Sequence, residues 1–265
     1  MELLGNEIAA GNSVVFIVVA AIPATVPEDS SVQLLQTMRF VEYNSYPFEF
    51  SGIFFEFEYD EQNRITNIAG ETNYDDIDQT LGYDGDDVVS ILDGEGVLII
   101  PKPADNIITL TGEEEYGTWT QTYELNEQGY LSYFLEEDHF SLTYEYQDGN
   151  VVKVTKRDDY GSKDIQRITT YTYDNNKSPF YNCKTPKWFL FAYFIMEIPF
   201  ANQNNITSVT IWHPEYEWED WEGNTHVEED WEETFTLTYT YDAAGFPLTV
   251  TYDWGGTTTF TYLKK

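Results

Sequence analysis

The chain has 265 residues, with 47 acidic side chains against 13 Lys and Arg, a formal net charge of −34. That sign excludes nucleic acid, whose phosphates need a basic footprint, and attachment of the polypeptide to an anionic bilayer surface. With 42% hydrophobic residues and 21 Tyr, 17 Phe and 7 Trp it is no disordered acidic tail, and its length suits one all-β domain over residues 1–265.

At the N-terminus, the apolar run Val14–Ile22 follows Glu2 and Glu7 with no Lys or Arg before it. It is shorter than the roughly 20 residues of a helical membrane span and reads as a buried strand ended by Pro23. No transmembrane insertion is expected, and any export leader is absent from this chain. Further along, Phe55–Tyr59, Thr118–Tyr123, Ser141–Tyr146, Thr169–Tyr173, Thr234–Tyr241 and Thr257–Tyr262 alternate aromatic or aliphatic residues with Thr or Glu. Period-two alternation of this kind marks half-buried antiparallel strands, and about 14 to 17 such segments are present.

The punctuation between them repeats. Asp60 with Asn63, Asn126 with Gly129, Asp148 with Gly149 and Asp242 with Gly245 each stand between two strand-like runs. An early Asp or Asn starts the turn through its side chain, and a later Gly or Asn accepts a positive φ. Sequential hairpins predict an antiparallel up-and-down meander forming a closed or nearly closed barrel-like sheet. One segment breaks the alternation: Thr185-Pro186-Lys187 precedes nine apolar residues, Trp188–Met196. Thr at the N-cap with Pro at the first helical position predicts one buried helix near 186–197, packed inside or across the sheet.

The unit Tyr239-Thr240-Tyr241-Asp242-Ala243-Ala244-Gly245 resembles the tyrosine-aspartate repeats of Rhs-type shell proteins. Tyr171-Thr172-Tyr173-Asp174-Asn175-Asn176-Lys177-Ser178-Pro179-Phe180, Thr185-Pro186-Lys187-Trp188 and Asn204-Asn205-Ile206-Thr207-Ser208-Val209 are similar to a family of exported Bacteroidetes lipoproteins. That family is a domain of unknown function with a porin-like fold. The likeness covers residues 50–265; it implies a many-stranded meander and an exported, periplasmic or cell-surface location, and it brings no catalytic residues. A lipid-facing barrel needs strands of about 9–11 residues with clean apolar faces. Glu and Asp interrupt the strands here, so a water-soluble barrel with its aromatic face inward is expected.

Motifs for chemistry are sparse. The single Cys183 has no His nearby and excludes a disulfide framework or Cys-rich zinc site. His139, His213 and His226 show no metal-ligand spacing, and no phosphate loop or nucleophile elbow is present. Trp218, Trp221 and Trp231 are candidate sugar-stacking residues, with burial in the core as the competing reading. They sit in a hairpin between Trp212 and Phe235 whose natural turn centre is Gly223-Asn224. That turn would set Tyr216 opposite Trp231 on one face. On the other it would set Glu215 opposite Glu232, Glu217 opposite Asp230 and Glu219 opposite Glu228. Like charges on opposite residues destabilise a strand pair, so these six carboxylates need open solvent, a bridging calcium ion or a cationic partner.

Charge is also segregated. Residues 153–187 hold 8 cations and 4 acids, whereas residues 212–233 hold 10 acids and no Lys or Arg. The function that follows is a non-catalytic envelope or cell-surface protein binding a glycan or a protein partner with a basic surface. The alternative is a secreted glycan hydrolase that depends on carboxylates or calcium, since paired carboxylates are a glycosidase's machinery. Calcium is the one cofactor for which the sequence makes a case.

Overall fold

Alternating side chains give each strand one apolar face, and the structure, a computed structural model, turns these faces to a common interior. It describes residues 31–43, 50–71, 76–94, 96–114, 117–158, 164–193, 201–219 and 225–265. In chain order come β1 (Gln33–Tyr43), β2 (Phe50–Tyr59), β3 (Ile65–Glu71), β4 (Asp76–Asp84), β5 (Asp87–Leu92), β6 (Val97–Ile99), β7 (Ile107–Glu114), β8 (Gly117–Leu125) and β9 (Leu131–Glu136). There follow β10 (Phe140–Gln147), β11 (Asn150–Asp158), β12 (Ile165–Lys177), the helix α1 (Lys187–Tyr193), β13 (Asn204–His213), β14 (Tyr216–Glu219), β15 (Thr225–Glu228), β16 (Trp231–Tyr241), β17 (Pro247–Tyr252) and β18 (Thr257–Lys264).

Sixteen strands make one antiparallel sheet in which chain neighbours pair, an up-and-down meander. Two joins depart from simple succession. β1 pairs with β18, and β13 pairs with β16 because β14 and β15 leave to form a separate two-stranded sheet. The two ends of the sheet, β6 and β7, are consecutive in sequence. Curvature follows from a short piece of chain. Thr185 bonds to β3 and β4, and three residues later Trp188 packs on Tyr123 of β8, with ring centroids 6.0 Å apart. Three residues span no more than about 11 Å. Strands near opposite ends of the sheet order are therefore drawn together, and the sheet is a nearly closed barrel.

The turns follow the mechanism their residues dictate, and one module occurs three times. Oδ1 of Asp60, Asn126 and Asp242 accepts the N–H groups two and four residues on, all at 2.9–3.0 Å. The residue three places on, Asn63, Gly129 or Gly245, has φ of 66°, 76° or 81°. That left-handed backbone suits Gly and Asn, so the module is specified by two residues. The fourth turn, at Asp148-Gly149, has both central residues at positive φ (51° and 77°) and is a two-residue hairpin turn of the primed kind.

The interior is apolar. Met38, Phe55, Phe57, Ile65, Ile68, Phe134, Leu237, Val250 and Phe260 project from the wall into one contiguous core, and Trp188, Phe189, Leu190 and Phe191 of α1 fill its middle. The helix is thus buried, as its apolar run requires; residues 194–196 of that run lie outside the described residues. Its start differs from the expected cap. The Pro186 carbonyl accepts from the N–H groups of Phe189 and Leu190, so Pro186 takes the capping position and Thr185 lies before it. The Thr185 hydroxyl instead accepts the N–H of Ile65 at 2.8 Å and bonds to the Tyr83 hydroxyl at 3.0 Å. A buried strand amide without a partner outcompetes the helix end for that oxygen.

No helix among the described residues is long and apolar enough to cross a membrane.

Candidate groove beside the β14–β15 arm

β13 and β16 run past the barrel wall and hand the chain to the β14–β15 arm. Their pairing sets His213 opposite Trp231, Trp212 opposite Glu232 and Ile211 opposite Glu233. The arm continues the same register, with Tyr216 opposite Glu228, Glu217 opposite Val227, Trp218 opposite His226 and Glu219 opposite Thr225. This overturns the pairing expected from a Gly223-Asn224 turn. The register differs by three residues, an odd number, so each strand's partners change face and the three carboxylate rungs do not form. In the paired residues acids now lie opposite Val227, Trp212, Tyr216, Ile211 and Thr225. Among the described residues, no group of three or more His, Cys, Asp or Glu side chains is arranged to hold a metal ion.

At the foot of the arm is an open groove of about 950 Å³. One wall comes from the ends of β11 and β12 and carries Arg157, Asp158 and Asp164. The other comes from β13–β16 and carries His213, Glu215, Tyr216, Glu217, Glu228 and Trp231. The cationic and acidic segments of the sequence therefore meet across it. Trp231 is the centre of the second wall: the His213 ring stacks on it, with centroids 4.0 Å apart and planes 10° from parallel, yet 46% of the residue stays exposed. His213 is held in turn, with Nε2 3.3 Å from Glu233 Oε1. Trp212 Nε1 donates to Asp230 Oδ2 at 3.2 Å, pinning the chain just before β16. Tyr216 is 49% exposed, and its hydroxyl donates to Glu228, a hydrogen bond that raises the phenol above its ordinary pKa.

The sequence candidates thus divide. Trp231, Glu215, Glu217 and Glu228 come together in the groove; Asp230 is tied to Trp212, and Glu232 lies opposite Trp212 on the strand pair. Trp218 takes a register position opposite His226, and Glu219 one opposite Thr225. Trp221 lies outside the described residues. Sequence reasoning missed His213, Tyr216 and Arg157 as partners in one site. The signal available for them was the boundary between the cationic and acidic segments.

A second cluster of titratable groups is interior. Burial pushes the Cys183 thiol up, against the Thr185 backbone N–H that favours the thiolate, and burial lowers the Lys187 ammonium. Lys187 Nζ donates to the Phe180 carbonyl at 3.4 Å. A thiol kept protonated and covered is inert filler, not a nucleophile.

Fold and groove together define a nearly closed, core-filled β-meander with an external cleft. Among solved structures the chain is similar to a porin-like protein from Bacteroides uniformis at 17% identity and a TM-score of 0.53, covering 86% of this chain and 98% of that one. A porin-like protein from Bacteroides vulgatus is 12% identical at a TM-score of 0.39, covering 88% and 99%. The first of these shows a shared fold, the porin-like fold that the sequence resemblance implies. No protein-family model matches the chain, and no curated protein is similar to it.

Proposed function

We propose that this is a non-catalytic envelope or cell-surface protein that binds a glycan or protein partner in the groove beside the β14–β15 arm, and that it belongs with the exported lipoproteins it resembles. The observation that carries the binding role is Trp231, a large aromatic left nearly half exposed in a concave site while held rigid by His213 and Glu233. Rigid aromatics in pockets are what binding sites use as anchors.

The porin-like neighbours support an envelope location. The outer wall supports a water-facing barrel, because its rungs are hydroxyl pairs: Thr37 with Thr261 at 2.7 Å, Thr210 with Thr234 at 2.9 Å and Thr240 with Thr249 at 2.7 Å. A lipid-facing band would carry apolar side chains there.

The test is retention on a panel of immobilised neutral polysaccharides and basic peptides, comparing wild type with Trp231→Ala. Retention that is lost in the variant is the expected result. Equal retention by both removes the groove from the function. Release of reducing ends from a retained polysaccharide, abolished by Glu228→Gln, would replace the non-catalytic reading with the hydrolase.

A further inference from the structure

We infer that a second copy of this chain docks on β6, the strand at one end of the sheet, pairing its own β6 antiparallel about a two-fold axis at Leu98. The surface lies apart from the groove, whose lining holds none of these residues. β6 pairs with β5 alone, and its residues are all exposed, Val97 at 56% and Ile99 at 66%. Ile91 lies opposite Leu98. On either side of that pair, Asp93 N–H donates to the Gly96 carbonyl at 3.0 Å and Ile100 N–H to the Val89 carbonyl at 2.8 Å. Opposite residues in an antiparallel ladder alternate between bonded and non-bonded pairs. Leu98 therefore turns its main-chain groups to β5, while Val97 and Ile99 turn theirs to the free edge. Among the described residues these groups have no partner.

This edge is complementary to itself. Val97 and Ile99 stand one place either side of Leu98, so a two-fold axis there sets Val97 against Ile99 of the second copy and each free N–H against a carbonyl. Leu92 lies opposite Val97 and shares its face, so Leu92, Val97 and Ile99 form an exposed apolar strip that the paired copy continues and partly covers. Edge strands that avoid pairing carry Lys or another charge, whereas β6 carries Val, Leu and Ile. Pro101 has no N–H and ends the ladder, which keeps the contact short and the dimer weak. Charge fits as well. Lys102, held by Asp84 at 2.7 Å, follows the axis in sequence, and the β5–β6 turn with Asp93 precedes it. Antiparallel pairing brings each Lys102 towards the other copy's Asp93. The net charge of −34 repels the two copies at long range, so added salt strengthens the dimer.

The experiment is sedimentation velocity of the full chain up to about 0.5 mM at low and high salt, with oxidative cross-linking to read the register. Facing residues of a non-bonded antiparallel pair have Cα atoms about 4.5 Å apart, within disulfide range. Leu98→Cys with oxidised glutathione should therefore yield a covalent dimer, whereas Leu248→Cys, at an exposed position on β17, should yield about tenfold less. The native Cys183 is buried and does not compete. Reversible dimers that increase with salt are expected in the wild type. Ile99→Lys should raise the dimer Kd by about tenfold or more, while Leu248→Lys stays within about twofold. A monomer at every concentration and salt overturns the inference, as does equal weakening by both lysine variants. Equal cross-linking of Leu98→Cys and Leu248→Cys overturns the two-fold pairing, and this readout stands even where Ile99→Lys fails to fold.

Discussion

Thr185→Val tests how the helix-bearing segment is fastened to the wall. Three hydrogen bonds close a ring: Ile65 N–H to Thr185 Oγ1 at 2.8 Å, the Thr185 hydroxyl with the Tyr83 hydroxyl at 3.0 Å, and Tyr83 O–H to the Ile65 carbonyl at 2.7 Å. Tyr83 spends its proton on the carbonyl, so Thr185 donates to Tyr83. Valine keeps the shape and removes the hydroxyl. Ile65 is 0% exposed, so no water reaches its abandoned N–H. An orphaned buried donor costs about 1–3 kcal/mol, and the lost bond to Tyr83 adds about 0.5–1 kcal/mol. A total of about 1.5–4 kcal/mol, with a urea slope near 3 kcal/mol per molar for a chain of this size, moves the unfolding midpoint down by about 0.5–1.3 M. Thr185→Ser keeps the ring and gives up one methyl group, about 1 kcal/mol. A midpoint shift below about 0.2 M for valine, or one no larger than serine's, refutes the argument.

Other expected outcomes follow from the same packing. Leu190→Ala, at a position 0% exposed in the middle of the core, should cost about 2–5 kcal/mol with an unchanged urea slope; a loss under about 1 kcal/mol would mean the helix does not fill the barrel. Gly70→Ala should destabilise by about 1–3 kcal/mol, since its Cβ would stand 2.2 Å from the Phe54 carbonyl oxygen; a neutral result contradicts that approach. At high pH the fold should fail early. Burial pushes Tyr83, Tyr123 and Tyr252 up to about 12, whereas unfolded phenols ionise near pH 10. The folded state thus holds protons the unfolded state has released, and stability present below pH 10 is lost as the pH rises towards 12. Phenolate absorbance should appear together with unfolding in that window. Free titration near pH 10 with circular dichroism intact contradicts buried phenols.

Much of this molecule is written locally. The turn at Asp242 needs an acceptor at one position and a left-handed residue three places later, and both can be read from the letters. The apolar run after Pro186 shows burial just as directly, because nine such residues have nowhere else to go. What the letters leave open is long-range. Thr185 looks like a helix cap until Ile65, 120 residues earlier in the chain, presents an amide with no other acceptor. The groove is harder still: its walls come from β11–β12 and from β13–β16, and only the fold brings Arg157 towards Trp231.

The arm shows which physical term wins when local and distant signals disagree. Matching Tyr216 to Trp231 satisfies two aromatic residues and a two-residue turn. Extended along the strands, the same register would place Val209 opposite Thr238. Val209 is 4% exposed and Thr238 is exposed on the outer wall, so an inward position would face an outward one. In an antiparallel pair, opposite residues share a face, and a slip by an odd number turns a whole strand inside out. Val209 pairs instead with Phe235, which packs against the core, and Leu237 of the same strand is 5% exposed. Burying those side chains is worth roughly 1.5–3 kcal/mol each, against the 0.2–1 kcal/mol of a surface cross-strand pair. The barrel therefore sets the register, and the arm inherits it. That inheritance leaves Trp231 beside His213 and turns Glu215, Glu217 and Glu228 towards one groove. The acidic lining of the groove is a consequence of how the core packs β13 and β16.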